Sequence, residues 1–250
     1  NVVISGFMGL SPVTHYSIGS RIAGYYNLLV TEAISSMKPV FSSLEGQGAF
    51  GELREKYLFS VKLNTILAVF IGGSILMYGK AFILRWMGSG YLDSSHVLAV
   101  LTLAMFCNSL QIPPATLLYG ISKHKVYSFI VIAEGLANLG LSLILVKRYG
   151  IIGVALGTLV PIFVTSFFIV PRYASRVINL SSSRYARIVM QGLGLGVLVH
   201  AASWLVVRNL IVSSYPRIIA LSVSTSIVFL AVNVFVLLSR DERRYFRIPF

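Results

Sequence analysis

The feature that most constrains this chain is the way its charges are spaced. Short basic clusters alternate with apolar runs of about 20 residues, the length an α-helix needs to cross a hydrocarbon core of roughly 30 Å. Charged residues make up 12% of the chain, about half the share usual in soluble domains, and the mean hydropathy is +0.81. A water-soluble globule is excluded, and an all-α, polytopic transmembrane helix bundle is predicted. The net charge of +13 would point a soluble protein toward nucleic acid. Here the preference of cytoplasmic loops for Lys and Arg accounts for it, so no nucleic-acid partner is expected. The single cysteine, Cys107, allows no intrachain disulfide and no thiolate metal site.

The apolar runs divide the chain as follows. Residues 1–11, which open without an initiating Met, read as the tail of a truncated span, and the chain reads as part of something longer. Residues 13–43 read as one long helix that must tilt, kink or project, with Pro39 a ready kink site. Further spans are expected at 57–79, 96–119, 125–146, 151–171, 186–207 and 217–239, making about seven full spans. Every connection is short, so there is no room for an extramembrane catalytic domain. In alternate connections, twelve basic residues (Arg54, Lys56, Lys123, Lys125, Arg172, Arg176, Arg184, Arg187, Arg240, Arg243, Arg244, Arg247) stand against six (Lys80, Arg85, Lys147, Arg148, Arg208, Arg217). The richer set, with the C-terminus, is expected in the cytoplasm. KRYGIIG then reads as a tight external hairpin whose basic pair snorkels to the interface. Gly150 and Gly153 permit its sharp turn and close helix contact.

LANLGLSLILVKRYGIIGVALGT resembles the polysaccharide flippases of the multidrug/oligosaccharidyl-lipid/polysaccharide exporter superfamily. RIAGYYNLL followed by KPVFSSLEGQGAFGELREKY is similar to the second helix of that family's C-terminal lobe and its cytoplasmic connector. LRWMGSGYLDSSHVLAVLTLA resembles the turn into the fourth helix, and PPATLLYGISKHKVYSFI the short basic loop before the fifth. The motifs occur in the family's order and cover nearly the whole chain. The resemblance implies a C-terminal six-helix lobe at 1–172, its first helix truncated, and two appended transmembrane helices with a basic cytoplasmic tail at 173–250. It also implies a partner in an N-terminal lobe of the same chain, and residence in a prokaryotic cytoplasmic membrane. The implied activity is translocation of a polyprenyl-pyrophosphate-linked oligosaccharide by alternating access. A drug/cation antiporter of the same superfamily is the alternative, although such proteins generally lack the appended helices. A membrane-embedded glycan polymerase or ligase is a further one, although no sizeable external loop is present.

Ionisable residues at membrane depth are functional candidates by default. Arg21 and Glu32 lie eleven residues apart on one helix, which returns them to nearly the same face ~16 Å along, with Tyr25 and Ser35 near that stripe. An Arg in a cavity can grip a pyrophosphate through charge-assisted hydrogen bonds; a snorkelling Arg21 is the plainer reading. Lys38 beside Pro39 reads as an interfacial anchor. Glu134 lies midway along its helix. With Tyr127, Asn138 and Ser142 it forms a polar stripe that should face protein or water, and it could titrate during transport. Asn138 and Ser142 also suit plain helix packing. Asn108, Gln111 and Pro113–Pro114 interrupt the fourth helix, and Pro161 interrupts the sixth. Arg21, Tyr25, Glu32, Gln111, Glu134 and Asn138 are the expected substrate-contact residues. His15, His96 and His124 fall near loops and His200 stands alone. No metal, cofactor or catalytic residue is expected.

Overall fold

The computed structural model describes residues 2–207, 214–236 and 242. Arg208, Arg240, Arg243, Arg244 and Arg247, five of the basic residues used for orientation, lie outside them. The described residues are almost all helical, with no strand among them. The helices are α1 (Val2–Met8), α2 (Leu10–Ser35), α3 (Lys38–Gly46), α4 (Phe50–Met87), α5 (Leu92–Ser109), α6 (Ile112–Gly120), α7 (Lys125–Val164), α8 (Val170–Val177), α9 (Ser182–Val207) and α10 (Tyr215–Val236). A 3-10 turn, Ser89–Tyr91, precedes α5, and a π-helix, Thr165–Ile169, joins α7 to α8.

Among the described residues, five helical stretches are long and apolar enough to cross a membrane: Phe50–Met87, Ser89–Gly120, Lys125–Val177, Ser182–Val206 and Tyr215–Asn233. The sequence reading of seven spans differs on two points. First, Lys125–Val177 runs for 53 residues, ~80 Å if it were straight. It is not straight, because Gly150 takes φ 57°, ψ −137° inside α7, a left-handed conformation open to glycine. The two arms fold back on one another: Ser142 Oγ donates to Val154 O at 3.4 Å, and a Cβ at Gly157 would lie 2.7 Å from the Ser142 amide nitrogen. Second, α2, which carries Arg21 and Glu32, is not among the five. The expected continuous helix over 13–43 is also corrected. It stops at Ser35 and restarts at Lys38, with Pro39 in the first turn of α3, where the missing N–H costs nothing.

The break between α5 and α6 is built by Pro113 and Pro114. Neither can donate to the carbonyl four residues earlier, which orphans those of Ser109 and Leu110. A bare carbonyl at membrane depth costs several kcal/mol by hydrocarbon-transfer measures (~4–8). Both are capped from neighbouring helices: Asn64 Nδ2 donates to Ser109 O and Tyr185 Oη to Leu110 O, each at 2.9 Å. One interruption therefore stitches α4 and α9 to the same point.

Around that point α2 packs most extensively on α5. A Cβ at Gly19 would lie 2.9 Å from the Leu98 and Ser94 backbone, so the small residue sets how close the helices come. Tyr26 Oη donates to Ala68 O at 3.0 Å, tying α2 to α4. The outer side of α4 receives α9 and α10. There Gly196 fits against Val69 and Phe229 and Gly73 against the His200 ring, and Tyr78 Oη meets Thr225 Oγ1 at 2.8 Å. The basic-rich ends gather together: Arg54 Nε donates to Ile178 O at 2.7 Å and Tyr173 Oη to Lys123 O at 3.2 Å. At the opposite end Arg85 lies over the Tyr215 ring, 5.5 Å from its centre.

Candidate functional site

The α5–α6 break, the first arm of α7 and the π-helix converge on a polar network. Gln111, 3% exposed, sits in the break, and its Nε2 lies 2.9 Å from each of Glu134 Oε2, Thr165 Oγ1 and Ser166 Oγ. Thr165 Oγ1 also contacts Glu134 Oε2 directly and lies 3.1 Å from both Pro161 O and Ile162 O. An amide nitrogen carries two hydrogens and a hydroxyl one, so the acceptors outnumber the donors and only some of these bonds form at once. The wider π turn, a device common at functional sites, presents both hydroxyls to Gln111.

Beside this network lies a concavity of about 320 Å³. Gln111 forms part of its wall, with Thr31, Ser35 and Lys38 from the α2–α3 junction, Asn108 from α5, Tyr119 from α6 and Tyr127 from α7. Asn108 is held by its Nδ2 donating to Asn27 Oδ1 at 2.8 Å. Lys38 Nζ stands over the Tyr119 ring at 5.5 Å, and Tyr119 meets Tyr127 edge-on with ring centres 5.9 Å apart. The site thus offers one cation, hydroxyls and amides at its wall, and a carboxylate one hydrogen bond behind it.

Of the six expected contact residues, the fold brings Gln111 and Glu134 together. Asn138 lies one turn from Glu134 and has its Oδ1 3.1 Å from Ser142 Oγ, where it competes with Val154 O for that hydroxyl's one hydrogen. Arg21, Tyr25 and Glu32 are all exposed on α2, on the side opposite its buried Ala23, Tyr26, Val30 and Ile34. The stripe read from sequence is present, and its Ser35 end reaches the concavity. Thr165, Ser166 and Asn27 were not found by sequence reasoning. Lys38, expected as an anchor, lines the site. Lys62, half-buried in an apolar run, pairs with Glu242 at 2.7 Å. Among the described residues no group of His, Cys, Asp and Glu could hold a metal ion. His200, expected to stand alone, has Nδ1 2.9 Å from Gly196 O and its ring against Phe229.

Comparison with known proteins places the chain near one transporter. It is 25% identical over 155 residues to a protein of Shigella flexneri named "Putative O-antigen transporter", a match covering 62% of this chain and 36% of that relative. The chain thus spans about a third of the relative's length. No family model matches, and no solved structure does either. The five long apolar helical stretches and this similarity together fit a multi-pass membrane protein.

Proposed function

We propose that the chain is the C-terminal portion of a polysaccharide flippase that moves a polyprenyl-pyrophosphate-linked oligosaccharide across a prokaryotic cytoplasmic membrane. On this reading residues 1–172 are a six-helix lobe and 173–250 two appended helices with a basic cytoplasmic tail. α2 counts as a span and the α7 hairpin as two, which restores seven. An N-terminal lobe faces the concavity, and membrane lipid surrounds the rest. The single observation that carries the reading is the concavity itself, whose polar wall is backed by the half-buried Glu134 carboxylate and its hydrogen-bond network. Lys38, with Arg21 further along α2, supplies the cations for pyrophosphate. Thr31, Ser35 and Asn108 supply hydroxyl and amide partners for sugar.

Glu134 is the coupling group. Its Oε2 accepts from Gln111 or from Thr165; when Gln111 bonds it, Thr165 can turn its own hydrogen to Pro161 O or Ile162 O. The network changes partners without moving any helix backbone, beside a proline and a π turn where an opening motion has least to break.

The test is transport by the full-length protein in liposomes loaded with a fluorescent polyprenyl-pyrophosphate oligosaccharide. Appearance of label on the far leaflet, abolished in a folded Arg21→Ala/Lys38→Ala variant, is the expected result. Flipping that persists unchanged in that variant removes the anion-gripping role. Efflux of a small organic cation with no glycan movement transfers the chain to the antiporter reading.

A further inference from the structure

On the far side of the Gln111 network, a second cavity of about 260 Å³ opens between the π-helix, α8 and α9. Phe167, Val189 and the exposed Met190 give it apolar walls, Ser166 and Tyr185 are its buried polar lining, and the exposed Arg172 and Ser183 stand with Ser182 at its rim. Pro171 withholds a donor from Phe167 O, and Arg172 Nη1 supplies one instead, at 3.4 Å, with Phe168 O at 2.8 Å. That holds the guanidinium at the mouth while its Nε and Nη2 hydrogens make no bond among the described residues. Arg176, Arg184 and Arg187 are exposed close by in sequence. None of the four arginines forms an ion pair among the described residues, and no acidic residue lines the cavity.

We propose that this notch binds one anionic phospholipid. Its phosphate is taken by Arg172 and the Ser182 and Ser183 hydroxyls, and the start of one acyl chain lies against Phe167, Val189 and Met190. Three features select that occupant. The notch lies between two long apolar helical stretches, Lys125–Val177 and Ser182–Val206. It sets an exposed guanidinium and serine hydroxyls beside apolar walls, as a lipid joins a head group to a chain. Its free charge is wholly positive, and basic pockets between membrane helices recognise anionic head groups. A guanidinium also suits a phosphate better than a choline. The inference needs only that these helices sit in a bilayer, and it stands apart from the flippase reading.

The test is native mass spectrometry of the delipidated full-length protein. Equal amounts of a phosphatidylglycerol and a phosphatidylcholine of the same chains are added back. One retained phosphatidylglycerol, favoured by about tenfold, is expected from the charge-assisted bonds. Arg172→Gln should bring the ratio close to one. Met190→Trp fills the notch from its apolar side, leaves the Arg172 contacts in place, and should remove the retained lipid. Arg148→Gln at the opposite end should leave the ratio unchanged. If Arg172→Gln does not fold, Met190→Trp alone decides. Equal retention of the two lipids overturns the proposal, as does a preference that survives the notch variants. So does displacement of the lipid by millimolar inorganic phosphate, which would make this a site for the free anion.

Discussion

Two regions meet at α4 and α5 and are held by opposite means. On the outer side of α4, α9 and α10 dock chiefly through shape, with a few fixed hydrogen bonds such as Tyr78–Thr225 beside it: Gly196 against Val69, Gly73 against His200, and Phe70 against Phe229 with ring centres 5.5 Å apart. On the α5–α7 side, Gln111, Glu134, Thr165 and Ser166 are held by hydrogen bonds with more acceptors than donors. A shape lock has one arrangement and is lost when its volumes change. An oversubscribed polar network has several arrangements of similar geometry, and choosing among them requires moving only protons and rotors. The contrast separates a scaffold from a switch.

The largest expected effect falls on the switch. Glu134→Gln keeps the volume and some of the hydrogen bonds but removes the negative charge. Flipping in liposomes should fall at least about tenfold, while the midpoint of thermal unfolding in detergent changes little. Unchanged transport sinks the coupling role. Next is the lock. Gly196→Leu places a side chain into Val69 and Phe229 and should cost about 3 kcal/mol, seen as proteolytic release of the α9–α10 region before the rest of the bundle opens. Equal protease resistance of variant and parent would show that the seam can repack. Tyr185→Phe is smaller. It strips the cap from Leu110 O and should cost about 1 kcal/mol in a denaturant titration, and a second change at Asn64 should cost more than the sum because both cap one break. Smallest is Arg21→Ala. The side chain is exposed on α2, so stability should stay within about 0.5 kcal/mol of the parent, and any loss of flipping then reports on cargo rather than folding.

Composition and spacing made the helical membrane architecture legible, and charge periodicity placed most boundaries. KRYGIIG was readable as a hairpin because glycine there has a single physical use, and Gly150 takes the positive φ that use requires. Gln111 and Glu134 stood out because amide and carboxylate are costly in an apolar run. Thr165 and Ser166 did not, since small hydroxyls occur on any packed membrane helix and usually bond their own backbone. Pro161, four residues before Thr165, was the one local hint. The stop at Ser35 was missed because Pro39 suits a kink and a fresh helix start equally well. The fit of Gly73 to His200 was illegible, because the two residues lie on helices whose pairing no local pattern encodes.

The π-helix at Thr165–Ile169 makes chain length itself a carrier of information. A π turn holds one more residue than an α turn, so removing any single residue from this stretch yields a sequence content to run on as ordinary α-helix. The helix beyond would stay nearly in phase, because a π turn and an α turn each close one full rotation with a similar rise. Arg172 and Tyr185 would keep their places, and the loss would fall on the turn itself, where Thr165 and Ser166 would no longer both face Gln111. The extra residue is a local expansion: it widens one turn to bring two hydroxyls to the broken helix while the docking of α9 stays undisturbed.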